Sequence, residues 1–95
     1  MLPKHRPPTH PGEMLSEEFL KPMGITQAQF AEHIGCTRAA LNELINGKRG
    51  LSPEMACKIA DAFGTSVQLW MGLQTDYDLW HALKKHKKIP FFKAS

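Results

Sequence analysis

The chain has 95 residues, with 12 Lys+Arg against 9 Asp+Glu, 5 His and 2 Cys, and a formal net charge of +3. That length holds one domain with one core, which excludes a multi-domain enzyme. Hydrophobic residues at 42% belong to a folded chain, and two cysteines are too few for a disulfide framework. No leader pattern precedes them and no apolar run is long enough for a bilayer, so the expected setting is the cytoplasm.

Residues 1–12 carry Pro3, Pro7, Pro8, Pro11 and Gly12. Each proline fixes φ and removes a donor, so this segment reads as a flexible, extended arm. From residue 13 onward apolar side chains recur at helical spacing. Met14, Leu15, Phe19 and Leu20 give a first helix that Pro22 ends near Lys21. Thr26 and Gln29 have capping-box spacing and open a second helix with Phe30, Ala31 and Ile34 on its apolar face; Gly35 closes it. Thr37 caps a third helix with Leu41, Leu44 and Ile45 inside, ended by Asn46-Gly47. Ser52-Pro53-Glu54 starts a fourth, carrying Met55, Ala56, Ile59, Ala60 and Phe63 to a stop at Gly64. Ser66 opens the last helix, over about 66–85. No segment alternates with period two, so the expected fold class is all-α. The division is an arm over 1–12, a helical domain over 13–83 and a basic tail over 84–95.

The charge is unevenly placed. Segments 1–12, 36–50 and 84–95 carry +2, +2 and +5, while 13–35 and 51–83 carry −3 each. The positive central segment contains the third helix and the loop after it, which makes it a candidate contact for a polyanion. Two short helices joined by Gly35-Cys36-Thr37 have helix-turn-helix spacing. At about 100° per residue from Arg38, Ala40, Leu44 and Leu41 fall near 200–300° and point inward. Arg38, Asn42, Asn46, Ala39 and Glu43 span the opposite arc. Arg suits guanine, Asn suits adenine, Glu accepts from cytosine, and a small Ala touches a thymine methyl. Base reading is therefore expected from Arg38, Ala39, Asn42 and Glu43. Phosphate contacts are expected from Gln27 at a helix N-terminus, from Thr37 and Asn46, and from Lys48 and Arg49 in the Gly47–Gly50 loop.

Three blocks carry a resemblance. They are His10-Pro11-Gly12-Glu13-Met14-Leu15, Asn46-Gly47-Lys48-Arg49-Gly50-Leu51, and Phe63-Gly64-Thr65-Ser66…Trp70…Leu73-Gln74…Tyr77-Asp78-Leu79. With Thr26-Gln27-Ala28-Gln29-Phe30-Ala31 between them, the chain resembles the Xre/Cro-like (phage repressor-type) helix-turn-helix family, and within it the HigA-type antitoxins. The resemblance covers roughly residues 10–80. It implies a compact five-helix domain with an extended C-terminal helix. It also implies a homodimer on a palindromic double-stranded operator, autorepression, and neutralisation of a small HigB-like RNase toxin. Such a protein is cytoplasmic, and nucleoid-associated when bound to its operator. One departure is that Leu20 and Ile45 occupy the place where many phage-type repressors tie the first helix to the third with an ion pair.

Trp70, Leu73, Tyr77 and Trp80 follow one another at heptad-like spacing, and Leu69, Leu79 and Leu83 widen that apolar surface. A two-fold partner is the expected cover, with the monomer core as the alternative for Trp70 and Trp80. The lysines of the tail read as a solubilising end. His33 and Cys36 have no second spaced pair, so no metal or other cofactor is expected; Cys36 and Cys57 read as small buried residues. Nothing has the layout of a phosphate loop, a nucleophile elbow or paired carboxylates, so no enzyme is expected. A stand-alone regulator without a toxin and a helical protein-interaction module are the competing functions.

Overall fold

The computed structural model describes residues 7–93, and its helices are α1 (Pro11–Met14), α2 (Gln27–Ile34), α3 (Arg38–Ile45), α4 (Pro53–Phe63) and α5 (Val67–Lys85). Between α1 and α2 the first helix continues without a break as a π-helical segment, Leu15–Leu20. There Lys21 N–H donates to the Ser16 carbonyl at 3.0 Å and Ile25 N–H to the Leu20 carbonyl at 2.9 Å. These five-residue closures bring the chain past Pro22, which has no N–H to give. Residues 1–6 of the expected arm and 94–95 of the tail lie outside the described residues.

Helix α1 begins at Pro11, inside the segment expected as an arm. Pro11 occupies the first turn of α1, where a missing N–H leaves no bond unmade. His10 is the N-cap: its Nδ1 accepts from Gly12 N–H at 2.9 Å. Pro11 and Gly12 are both buried, because α1 crosses the end of α3 at backbone contact. A Cβ on Gly12 would lie 1.8 Å from the Leu44 carbonyl oxygen. Only glycine permits that approach.

Each later helix starts on a side-chain cap. Thr26 and Gln29 form the full capping box, with Gln29 N–H donating to Thr26 Oγ1 at 3.1 Å and Thr26 N–H to Gln29 Oε1 at 2.9 Å. Thr37, Ser52 and Ser66 accept from the third residue of their helices in the same way. Such caps are worth about 1 kcal/mol each. Gly35 ends α2 at φ 74°, a left-handed conformation that lets α3 leave at once in a new direction.

The core gathers Leu15, Leu20, Phe30, Ala31, Leu41, Leu44, Leu51, Ala56, Ile59, Ala60 and Trp70. Leu20 is buried in it and Ile45 packs against it, so the first and third helices meet through apolar surface. Packed against it, Phe19 lies 4.7 Å from Phe63 and 5.3 Å from Trp70, and Phe30 stacks on Phe63 at 5.2 Å. Trp70 is wholly inaccessible to solvent, and its Nε1–H donates to Thr65 Oγ1 at 2.7 Å. Its expected place at a dimer interface is therefore corrected: the indole fills the monomer core and presents no surface to a second chain. Cys57 is exposed rather than buried. Burial pushes the Cys36 thiol up, against a smaller opposing pull from Lys58, and so keeps it protonated.

Candidate nucleic-acid interface

Helices α2 and α3, joined at Gly35, display one polar surface. Thr37, Arg38, Ala39, Asn42, Glu43, Asn46, Lys48 and Arg49 are all exposed, and Gln27 is half-buried at the first position of α2. The inward side of α3 holds Leu41 and Leu44, as the helical wheel implied.

The expected contact residues are connected to one another. Asn42 Nδ2 donates to Gln27 Oε1 at 3.1 Å, and Asn46 Nδ2 donates to Asn42 Oδ1 at 3.0 Å. This amide row crosses from the start of α2 to the end of α3. It fixes the Asn42 side chain before any ligand arrives. Each amide nitrogen has a second hydrogen, and each amide oxygen a second lone pair, so the row still presents donors and acceptors outward. Thr37 Oγ1 accepts from Ala40 N–H at 3.0 Å, which leaves its own hydroxyl hydrogen to donate.

The charges are arranged less simply than the sequence implied. Arg49 Nη2 lies 2.8 Å from Glu43 Oε1, with both side chains about half exposed, at 51% and 48%. A presumed base reader and a presumed phosphate contact are thus paired with each other. An exposed pair of this kind stabilises by only about 0–1 kcal/mol, so an incoming phosphate can take Arg49 at small cost. Arg38 enters no ion pair among the described residues. At the other end of α2, Lys58 Nζ donates to the Gly35 carbonyl at 3.4 Å and complements that helix terminus.

Sequence reasoning missed two residues beneath this surface. Apart from the core apolar groups, the buried side chains include His10 and Gln74; His10 caps α1, and Gln74 lies under the loop after α3. Gln74 Oε1 accepts from Leu51 N–H at 2.7 Å, and Gln74 Nε2 donates to Asp78 Oδ1 at 2.8 Å. The His10 ring meets Tyr77 edge-on at 4.8 Å. Burial holds its imidazole below 6.5, opposed in turn by the Arg49 backbone, Asp78 and Glu13. Both residues stand inside the sequence blocks that carried the family resemblance, but no periodicity marks a buried polar side chain as structural.

The remaining expected interface residues are split. Leu73, Tyr77 and Trp80 are half-buried on α5. Tyr77 also leans on His81, with centroids 4.5 Å apart, and Lys84 Nζ sits 4.7 Å above the Trp80 ring. Leu69, Leu79 and Leu83 face outward. Among the described residues no group of three or more His, Cys, Asp or Glu side chains is placed to hold a metal ion. No described helix is long and apolar enough to cross a membrane.

Residues 17–70 match the family model described as helix-turn-helix. The chain is 40% identical over 83 residues to the antitoxin HigA-1 of Vibrio cholerae, covering 87% of this chain and 78% of that protein. The chain belongs to the helix-turn-helix family, among its HigA-type antitoxins. Two solved structures share the whole fold. The Pseudomonas aeruginosa antitoxin HigA with its higBA promoter has a TM-score of 0.79 at 34% identity, over 90% of this chain and 99% of that one. A P. aeruginosa structure described as PA4674 in complex with its 18-bp operator DNA has a TM-score of 0.82 at 36% identity, over 88% and 89%. This is a family of DNA-binding antitoxins and regulators, not a class of enzymes.

Proposed function

We propose that the chain is an antitoxin that represses its own operon by binding a palindromic operator as a homodimer. It would neutralise a small HigB-like RNase toxin encoded beside it. The observation that carries the DNA half of this reading is the exposed, pre-bonded row Gln27–Asn42–Asn46 beside Arg38, which enters no ion pair among the described residues. Placed in a major groove, α3 brings Arg38, Ala39, Asn42 and Glu43 to base edges, near the helix N-terminus where such helices read sequence. Gln27, Thr37, Asn46, Lys48 and Arg49 then flank it at the sugar-phosphate backbone. The relatives bound to operator and promoter DNA support the same docking.

With Trp70 committed to the core, the dimer surface is drawn from Leu73, Tyr77 and Trp80, joined by the outward Leu69, Leu79 and Leu83 of α5. Two-fold pairing sets the recognition helices about one DNA turn apart, roughly 34 Å. The protein would act in the cytoplasm and join the nucleoid when bound to its operator. Footprinting of the DNA upstream of the gene, with co-purification from the native operon, tests the proposal. A symmetric protected site together with a co-purifying small basic RNase is the expected result. A protected site with no such partner would leave a stand-alone regulator. No protection, with a partner protein bound, would make the chain an interaction module.

A further inference from the structure

The loop after α3 carries Lys48 and Arg49. It is held at both ends, by α3 where it starts and by α5 where it finishes. At the α3 end, Lys48 N–H donates to the Glu43 carbonyl at 2.8 Å. At the far end, Leu51 N–H is held by Gln74 Oε1 at 2.7 Å, and Gly50 lies so close to the Gln74 amide that a Cβ there would touch it at 3.4 Å. Gln74 belongs to α5 and lies outside the α2–α3 unit. It is a buried polar group, which costs stability unless it is bonded.

We propose that Gln74, oriented by Asp78, is a positioning residue for DNA binding that holds the 47–51 loop so that Lys48 and Arg49 meet phosphate. The proposal rests on the DNA-binding reading above and deepens it. The two bonds of the Gln74 side chain have opposite directions. Its Oε1 accepts from Leu51 and its Nε2 donates to Asp78. Gln74→Glu keeps the acceptor for Leu51 but sets a carboxylate against the Asp78 carboxylate. Adding Asp78→Asn restores a donor–acceptor pair at that point and returns the net charge to that of the wild type.

The test measures affinity for duplex DNA from upstream of the gene as a function of salt, in wild type, Gln74→Glu and the double variant. Each phosphate neutralised by a cation adds about 0.9 to the slope of log affinity on log salt. Gln74→Glu is expected to flatten that slope by about one and to weaken binding about 3- to 10-fold, since one loop cation loses its phosphate. Discrimination against a single-base operator variant, which depends on α3, stays as in wild type, and the double variant regains slope and affinity. A loss of fold would instead lower affinity and discrimination together and show in circular dichroism. Asp78→Asn alone keeps an acceptor for Gln74 Nε2, and should bind with the wild-type slope plus whatever one removed negative charge adds. An unchanged slope in Gln74→Glu, or no recovery in the double variant, overturns the positioning role while leaving DNA binding intact. Wild-type protein that binds no upstream DNA overturns the DNA-binding reading, and the positioning role with it.

Discussion

Gly12→Ala offers a test in which two effects of opposite sign compete. In a helix, alanine is favoured over glycine by up to about 1 kcal/mol, so a reading from helix propensity alone expects stabilisation. At Gly12 the added Cβ would lie 1.8 Å from the Leu44 carbonyl oxygen, 2.5 Å from its carbon and 2.9 Å from Ile45 Cα. Reaching even 3.0 Å from the oxygen needs a retreat of about 1.2 Å, by backbone on both sides. Overpacking in a core costs about 1–3 kcal/mol where side chains can yield, and backbone yields less. The net expectation is a loss of about 2 kcal/mol, or roughly 8–16 °C in Tm for a domain of this size. Gly72→Ala is the control. Gly72 sits inside α5 with nothing within 4 Å of its would-be Cβ, so it should stabilise by about 0.5–1 kcal/mol. Urea unfolding followed by circular dichroism reads both. Gly12→Ala as stable as wild type, or stabilised alongside Gly72→Ala, would refute the close crossing of α1 over α3.

Other substitutions separate core from surface. Trp70→Ala should cost about 3–5 kcal/mol, read by urea unfolding at a fixed protein concentration. Leu83→Glu, on an exposed side chain, should leave the protomer folded and move the proposed dimer toward monomer in sedimentation. His10 predicts a pH dependence. Its folded imidazole is held below 6.5 mainly by burial, against the Arg49 backbone, Asp78 and Glu13, with Tyr77 edge-on and His81 behind it. The unfolded chain takes up a proton near 6.5 before the folded one does. The stabilisation is therefore complete above 6.5 and is lost as pH falls from 6.5 toward the lowered folded value. His10→Asn keeps a capping acceptor without a titrating ring, so the slope of the urea midpoint between pH 7 and 5 should flatten. An unchanged slope would contradict a buried, neutral His10.

Much of this was legible in the sequence because caps and periodicity act locally. Thr26, Thr37, Ser52 and Ser66 each cap the helix that their spacing predicts, and the wheel of α3 sorts its residues correctly into core and surface. What escaped was non-local. Pro11 and Gly12 read as arm composition, because nothing in those residues says that α3 will pass at backbone distance. Trp70 read as an interface anchor because heptad spacing on α5 does not distinguish the face that meets Phe19 from the face that meets solvent. Glu43 and Arg49 read as separate contacts, whereas the turn after α3 folds one onto the other. Gln74 and His10 are single polar residues in apolar surroundings, and only the tertiary fold brings Leu51 N–H to Gln74 and Tyr77 to His10.

The central claim is that the exposed face of α3 reads base sequence. The most direct measurement is a fluorescence-anisotropy titration of upstream operator DNA, and of single-base variants, with wild type, Arg38→Ala and Asn42→Ala at one fixed salt concentration. A bidentate base contact is worth about 1–3 kcal/mol, so each substitution should weaken operator binding roughly 5- to 150-fold. Each should also erase the preference at one symmetric pair of operator positions, a different pair for each residue, with Tm unchanged. Equal affinity in the variants, or a uniform loss across all DNA sequences, would contradict the assignment.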